Sequence, residues 1–102
     1  MKSYLISDNR DTALAFRLAG INNSIVHEES EIKRLFNKLL EDEDIGIIIL
    51  TEIIMDKIKS EVEYVKRNRR KPLIIEIPDR HGSKRAEGNI TKYIRDSVGI
   101  KI

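Results

Sequence analysis

An uninterrupted apolar run in the middle of the chain, residues 45–50, constrains the fold more than any other feature. Four of its six residues are isoleucine, and none is polar. β-Branched residues favour strands, and a strand without alternating polar positions is typical of a parallel sheet covered on both faces. The chain therefore needs helices on both sides of this strand.

The remainder of the chain supplies the elements that such a sheet needs. Apolar segments predict three further strands, at residues 3–7, 24–27 and 73–77. Amphipathic segments predict helices, at residues 12–19, 30–40, 52–65 and 89–98. This alternation favours the α/β class: a small doubly wound sheet (Rossmann-like or flavodoxin-like) of four parallel strands, with helices on both faces and a C-terminal helix.

The length of the chain limits its domain organisation. With 102 residues, the chain can bury one hydrophobic core and not two. We expect residues 1–78 to form the α/β core. We expect residues 79–102 to form a polar loop and a C-terminal helix, packed on the core or detachable from it, within a single domain.

Start and stop signals accompany the predicted helices. Leu14 and Leu18 are spaced i, i+4 in the first helix, and Gly20 follows where a helix C-terminus favours a left-handed residue. Thr51 precedes the third helix, which its hydroxyl can cap. Apolar residues then recur on one side of that helix, at Ile54, Ile58, Val62 and Val65.

The composition gives no sign of a catalytic, cofactor or metal site. The chain has no cysteine, which excludes thiolate catalysis and sulfur-based zinc sites. Its five glycines form neither a dinucleotide-binding fingerprint nor a P-loop. The apolar runs are too short for a signal peptide or a membrane span, so we expect a cytoplasmic protein that does not insert into the membrane.

Two acidic residues follow the first strand, where receiver domains of response regulators bind Mg²⁺. That family also needs an aspartate at the end of the third strand and a lysine after a later strand. Here the third strand ends without an aspartate, and Pro78 takes the place of the lysine. We therefore expect Asp8 and Asp11 to cap the first helix and to pair with Arg10 or Arg17.

Charge is distributed unevenly along the chain although the net charge is only +2. Residues 28–44 contain seven acidic and three basic residues, whereas residues 57–71 contain seven basic and two acidic ones. Three interpretations of the basic segment are open. It is a solvated helix end stabilised by the helix dipole, a surface that binds an acidic protein, or a nucleic-acid site. Nucleic acid is the least favoured, because Phe16, Phe36 and Tyr93 lie on apolar stretches suited to the core and leave few aromatics for stacking on bases.

Four segments contain recognisable motifs. Residues 8–21 contain an Asp-Asn-Arg-Asp-Thr turn followed by Phe-Arg-Leu-Ala-Gly-Ile, and residues 44–52 contain the isoleucine-rich strand followed by Thr-Glu. Residues 72–78 end in Glu-Ile-Pro, and residues 94–102 contain Arg-Asp-Ser-Val-Gly-Ile. Together these segments resemble the F subunit of the V-type (A-type) rotary ATPases of archaea and bacteria. Ser7 and Ala15 replace glycines of that family, and residues 79–88 match it less well.

The resemblance implies a non-catalytic subunit of the central rotor stalk, without a cofactor. Such a subunit binds the coiled-coil D subunit of the stalk and turns inside the ring of A and B subunits, while the A subunits hydrolyse or make ATP. It couples ATP turnover to ion transport and is peripheral to the membrane. The family's C-terminal segment, here residues 89–102, is implicated in regulation; the alternative is that it stays docked on the sheet.

We expect partners to contact three regions: the motif turn, the basic end of the third helix and the last helix. Their residues are Asn9, Arg10 and Asp11; Arg67, Arg69, Arg70 and Lys71; and Tyr93, Arg95 and Ile100. Two other functions stay open as alternatives, a stand-alone receiver-like signalling domain and a small RNA-binding domain.

Overall fold

The predicted strands form one four-stranded parallel sheet in the order β2-β1-β3-β4. The computed structural model describes residues 1–78. Its elements are β1 (Lys2–Ser7), α1 (Arg10–Leu18), β2 (Asn22–Ile25), α2 (Glu29–Glu41), β3 (Ile45–Thr51), α3 (Glu52–Lys57), α4 (Lys59–Asn68) and β4 (Leu73–Ile77). The parallel α/β architecture is confirmed, whereas the predicted C-terminal helix lies outside the described residues and the division of the chain at residue 78 stays a prediction.

The apolar run is the strand that holds the sheet together. β3 pairs with β1 on one side and with β4 on the other, and both pairings are parallel. Successive side chains of a strand point to opposite faces, so β3 presents apolar groups to both. Ile48 and Leu50 are fully buried on one face, and Ile49 is buried on the other. This is the burial that the uninterrupted run predicts.

Three helices cover one face of the sheet, which we call the α2 face. Ile6 of β1 and Ile48 and Leu50 of β3 belong to a buried cluster on this face. Ile45 of β3 and Ile74 of β4 are further strand members of the cluster. The helices contribute Ile32, Phe36 and Leu39 from α2, Ile54 and Met55 from α3, and Val62 and Val65 from α4, together with Ile58 between the last two helices. The main hydrophobic core therefore lies between the sheet and α2–α4.

The opposite face, the α1 face, is covered over β1 and β2 only. Asn23 is in register with Leu5, and its amide donates to the carbonyl of Ala13 in α1 at 3.0 Å. In contrast, Leu73 is 58% and Ile75 39% exposed on the β4 part of this face. Within residues 1–78, no helix covers these β4 side chains on the α1 face, whereas Ile49 of β3 is buried there.

Hydrogen bonds at both ends of α1 explain where this helix begins and ends. The side chain of Asn9 accepts from the amide of Thr12 at 2.8 Å, so Asn9 caps the helix. The expectation that Asp8 or Asp11 caps it is wrong. At the other end, Gly20 has a φ of 85°, and the amides of Gly20 and Ile21 donate to the carbonyls of Arg17 and Phe16. This is the Schellman arrangement that Gly20 predicts.

The predicted third helix is divided into α3 and α4. Its break lies at Ile58, which has φ −127° and ψ 32° and whose amide donates to the Met55 carbonyl at 3.2 Å. The Ile58 side chain is fully buried at this break. The turn therefore keeps the apolar residues of both helices in the core. Thr51 stands at the N-cap position of α3 but makes no side-chain capping bond there.

We expect Phe36→Ala to lower the free energy of unfolding by about 3–5 kcal/mol, because it leaves a cavity in the centre of the α2 face. Phe36 is fully buried, whereas Tyr64 on α4 is exposed. The control Tyr64→Ala should therefore change stability by less than about 0.5 kcal/mol. Urea unfolding measures both, and equal effects would contradict this packing.

Candidate partner interface

Polar side chains at the carboxyl edge of the sheet hold the ends of β1 and β3 together. The hydroxyl of Thr51 donates to the carboxylate of Asp8 at 2.6 Å. The hydroxyl of Ser7 donates to the Asn9 carbonyl at 2.8 Å and accepts from the Asn9 amide at 3.0 Å. Ser7 and Thr51 are fully buried. The hydroxyls of Ser7 and Thr51 and the carboxylate of Asp8 are therefore hydrogen-bonded within the fold.

The acidic and histidine side chains of the described residues are dispersed. No three of them in residues 1–78 form a group that could hold a metal ion. His27 is exposed after β2, and its backbone carbonyl accepts from the ammonium of Lys57 at 2.7 Å. This contact joins the start of α2 to the end of α3.

Part of the basic run after α4 binds the end of α2. The guanidinium of Arg69 donates to the carbonyl of Leu40, and the ammonium of Lys71 donates to the carbonyl of Glu43, each at 3.1 Å. The carbonyl end of a helix carries partial negative charge and favours such cations. Arg67 and Arg70 are also exposed and project from the same segment. Of the four predicted contact residues, two are therefore used in contacts within the chain.

The motif turn opens onto a shallow cavity beside α1. Arg10 and Asp11 line this cavity of about 410 Å³, together with Ala13, Leu14, Arg17 and Ile25. Leu14 is 54%, Leu18 81% and Ile25 38% exposed. The i, i+4 leucine pair of the first helix thus faces solvent, and Ala13 is the buried residue of α1.

The predicted contact residues lie in separate places. The motif turn follows the carboxyl end of β1, whereas Arg69 and Lys71 contact the segment before the amino end of β3. The structure does not bring these two groups together. Tyr93, Arg95 and Ile100 lie outside the described residues.

Sequence reasoning missed the apolar part of this surface. An i, i+4 leucine pair is the usual pattern of a buried helix face. A signal was nevertheless present, because alanine at position 13 suits the close contact between a helix and the sheet while the bulkier leucines stand beside it.

An ion-pair cluster joins α2 to α4. The ammonium of Lys33 lies 3.0 Å from the carboxylate of Glu29 and 3.3 Å from that of Glu61. Hydrogen bonds to Glu29 and Glu61 raise the pKa of Lys33 above its ordinary value. A hydrogen bond from its own backbone amide, followed by those from Ser60 and Lys33, lowers the pKa of Glu61 below 4.5.

This cluster should make stability depend on pH in the acid range. Because folding lowers the pKa of Glu61, its carboxylate stabilises the fold above the unfolded value of about 4.5 and stops doing so as the pH falls through the lower folded value. Glu61→Gln should therefore be less stable than the wild type at neutral pH, and the difference should shrink in acid. Thermal unfolding across this range tests it against Glu63→Gln on the same helix; a difference independent of pH would contradict the assignment.

Comparison with known proteins identifies the family. A family model described as "ATP synthase (F/14-kDa) subunit" matches residues 4–94. The chain belongs to this family. It is 38% identical over 107 residues to the F subunit of the A-type ATP synthase of Thermococcus kodakarensis, an alignment that covers 100% of this chain and 98% of that protein. It is 33% identical over 103 residues to the F subunit of the A-type ATP synthase of Methanocaldococcus jannaschii, covering 100% and 99%.

A solved structure is also similar. The crystal structure of the F subunit of the V-type ATP synthase from Archaeoglobus fulgidus matches with a TM-score of 0.48 and 22% identity, covering 74% of this chain and 95% of that one.

Family membership confirms the resemblance found in the sequence. The chain is a subunit of an A/V-type ATP synthase, a rotary complex of ATP synthesis and ion transport, and the other subunits of that complex are its partners. None of the helices in residues 1–78 is long and apolar enough to cross a bilayer.

Proposed function

We propose that the chain is a non-catalytic subunit of the central rotor stalk. It binds the coiled-coil D subunit, turns inside the ring of A and B subunits at the membrane periphery, and couples ATP hydrolysis or synthesis to ion transport. The observation that carries this proposal is family membership over the whole chain, with F subunits of A-type ATP synthases as relatives that are matched from end to end.

The polar residues at the carboxyl edge of the sheet are bonded within the chain, which supports a structural role. In a doubly wound fold, ligands bind beyond the carboxyl ends of the strands. At that edge, Ser7, Asp8 and Thr51 are hydrogen-bonded within the chain and join β1 to β3. A tightly packed core on the α2 face gives the rigidity that a force-transmitting part needs.

Exposed charge offers a way to bind partners. Arg67 and Arg70 project from the end of α4, whose neighbours Arg69 and Lys71 anchor the segment to α2. A charged group presented from an anchored segment binds a partner at a lower entropic cost than one on a free chain. We therefore place part of the interface with the D subunit at this segment.

The charge reversals Arg67→Glu and Arg70→Glu together should weaken the complex with the D subunit by about tenfold or more, since opposed charges across an interface are lost. Both residues are exposed, so the unfolding of the free chain should be unchanged. Calorimetric titration measures the affinity, and Arg34→Glu with Lys38→Glu on α2 is the matched control. Unchanged affinity would place the interface elsewhere, and failure of the wild-type chain to bind the D subunit would refute the proposed function.

The C-terminal segment regulates the complex in this proposal. Parallel sheets are covered on both faces, and the β4 part of the α1 face exposes Leu73 and Ile75. The apolar positions of the predicted last helix, Ile90, Tyr93, Ile94 and Val98, suit such a surface. We propose that residues 89–102 dock there in one state and move toward the catalytic subunits in another.

Removing residues 89–102 should therefore change the ATPase rate of the reconstituted complex more than it changes assembly with the D subunit. Leu73→Thr with Ile75→Thr removes the apolar docking surface and places a β-branched residue at both positions of β4. It should change the ATPase rate in the direction expected for a segment that is always released. Steady-state ATPase assays and size-exclusion chromatography measure the two quantities. An unchanged rate combined with a less stable free chain would mean that the segment is only structural.

A further inference from the structure

An apolar ridge stands on the outer side of α1. It consists of Leu14 and Leu18, one helical turn apart, and Ile25 of β2, which lines the same cavity as Leu14. All three side chains are exposed, and the contact of α1 with the sheet is made through the buried Ala13. The fold of residues 1–78 therefore does not require large apolar side chains at these positions.

Two arginines border the ridge. Arg10 and Arg17 line the cavity with Leu14, and both are exposed. Asp11 lines the same cavity and is engaged in an interaction within the chain. The two arginines are seven residues apart, which is about 10.5 Å along a helix axis. In coiled-coil terms, Leu14 occupies a d position and Leu18 the a position that follows it, and both arginines occupy g positions, where interhelical ion pairs form.

The position of the ridge and the charge of residues 79–102 argue against the chain's own C-terminal segment as its occupant. The ridge lies on α1 beside β2, at one edge of the sheet, whereas residues 79–102 follow β4 at the other edge. Residues 79–102 contain six basic and three acidic residues, so their net charge has the same sign as the two arginines that border the ridge. The uncovered β4 part of the α1 face at Leu73 and Ile75 lies directly beside the point where that segment begins.

The charge of the ridge argues against a second copy of the chain. A symmetric dimer through this surface would bring the same patch of both copies together. The patch carries two arginines and one aspartate, so contact between two copies would bring together surfaces of the same net positive charge, which disfavours association. A partner that carries carboxylates fits this surface better.

We propose that the ridge docks an amphipathic helix of a partner protein, with an apolar stripe bordered by two carboxylates one heptad apart. Resting on the proposed function, this helix belongs to the coiled coil of the D subunit. The contact is helix against helix, with Leu14 and Leu18 packing on the apolar stripe and the two arginines pairing with the carboxylates. Because α1 has nine residues, the ridge forms one part of a larger interface.

The test measures the affinity of the full chain for the purified D subunit. Leu14→Gln with Leu18→Gln keeps good helix formers at exposed positions, so circular dichroism and the melting temperature of the free chain should match the wild type. The dissociation constant should rise at least about tenfold, because two aliphatic side chains no longer leave water on binding. Ile25→Thr, which retains a β-branched residue in β2, should weaken binding in the same direction.

Charge reversal tests the contribution of the two arginines separately. Arg10→Glu with Arg17→Glu should weaken binding and remove part of its dependence on salt, since exposed ion pairs are screened. Tyr64→Gln and the pair Arg34→Glu with Lys38→Glu are the matched apolar and charge controls on the α2 face. Both controls should bind the D subunit as the wild type does.

The outcomes separate this inference from the proposed function. If the wild-type chain does not bind the D subunit, the proposed function fails and the inference fails with it. If the wild type binds and the Leu14, Leu18 and Ile25 variants bind equally well, only the inference is overturned. A free wild-type chain that sediments as a dimer, and becomes a monomer with Leu14→Gln and Leu18→Gln, would also overturn it in favour of a second copy.

Discussion

The burial of the central strand on both faces is the constraint on which the rest of the structure depends. β3 pairs with β1 and β4 and presents apolar side chains to both sides of the sheet. Helices α2–α4 cover one side, and α1 covers β1 and β2 on the other. The exposed apolar side chains of the α1 side lie at its two edges: Leu73 and Ile75 on β4, and Leu14, Leu18 and Ile25 beside β2.

This asymmetry gives the two sides of the domain different roles. The α2 side contains the core and an ion-pair cluster that joins α2 to α4 through Lys33. The α1 side offers surfaces that neighbours can cover. At the carboxyl edge, the hydrogen bond between Thr51 and Asp8 joins the ends of β3 and β1, and hydrogen bonds between Ser7 and Asn9 fix the turn that follows β1. A domain with these properties suits a protein that is held by the other subunits of its complex.

Much of the fold follows from the sequence because hydrophobic periodicity is a local signal. The strand at residues 45–50, the parallel pairing of the strands and the left-handed Gly20 are predicted by such patterns and confirmed by the structure. The break at Ile58 could not be predicted, because tertiary packing bends a segment whose apolar period is continuous. Tertiary packing also decides which side of α1 faces solvent. Ala13 packs on the sheet and turns Leu14 and Leu18 outward, and the i, i+4 spacing of the leucines alone does not predict this.

Hydrogen–deuterium exchange on the chain, free and in complex with the D subunit, tests the central claim that the domain acts through its outward surfaces. Exposed backbone at a helix surface exchanges more slowly when a partner covers and rigidifies it. The account predicts slower exchange in α1 (Arg10–Leu18) and around residues 66–71 in the complex, with the middle of α2 unchanged. Slowed exchange confined to α2, or no change anywhere in the described chain, would contradict it.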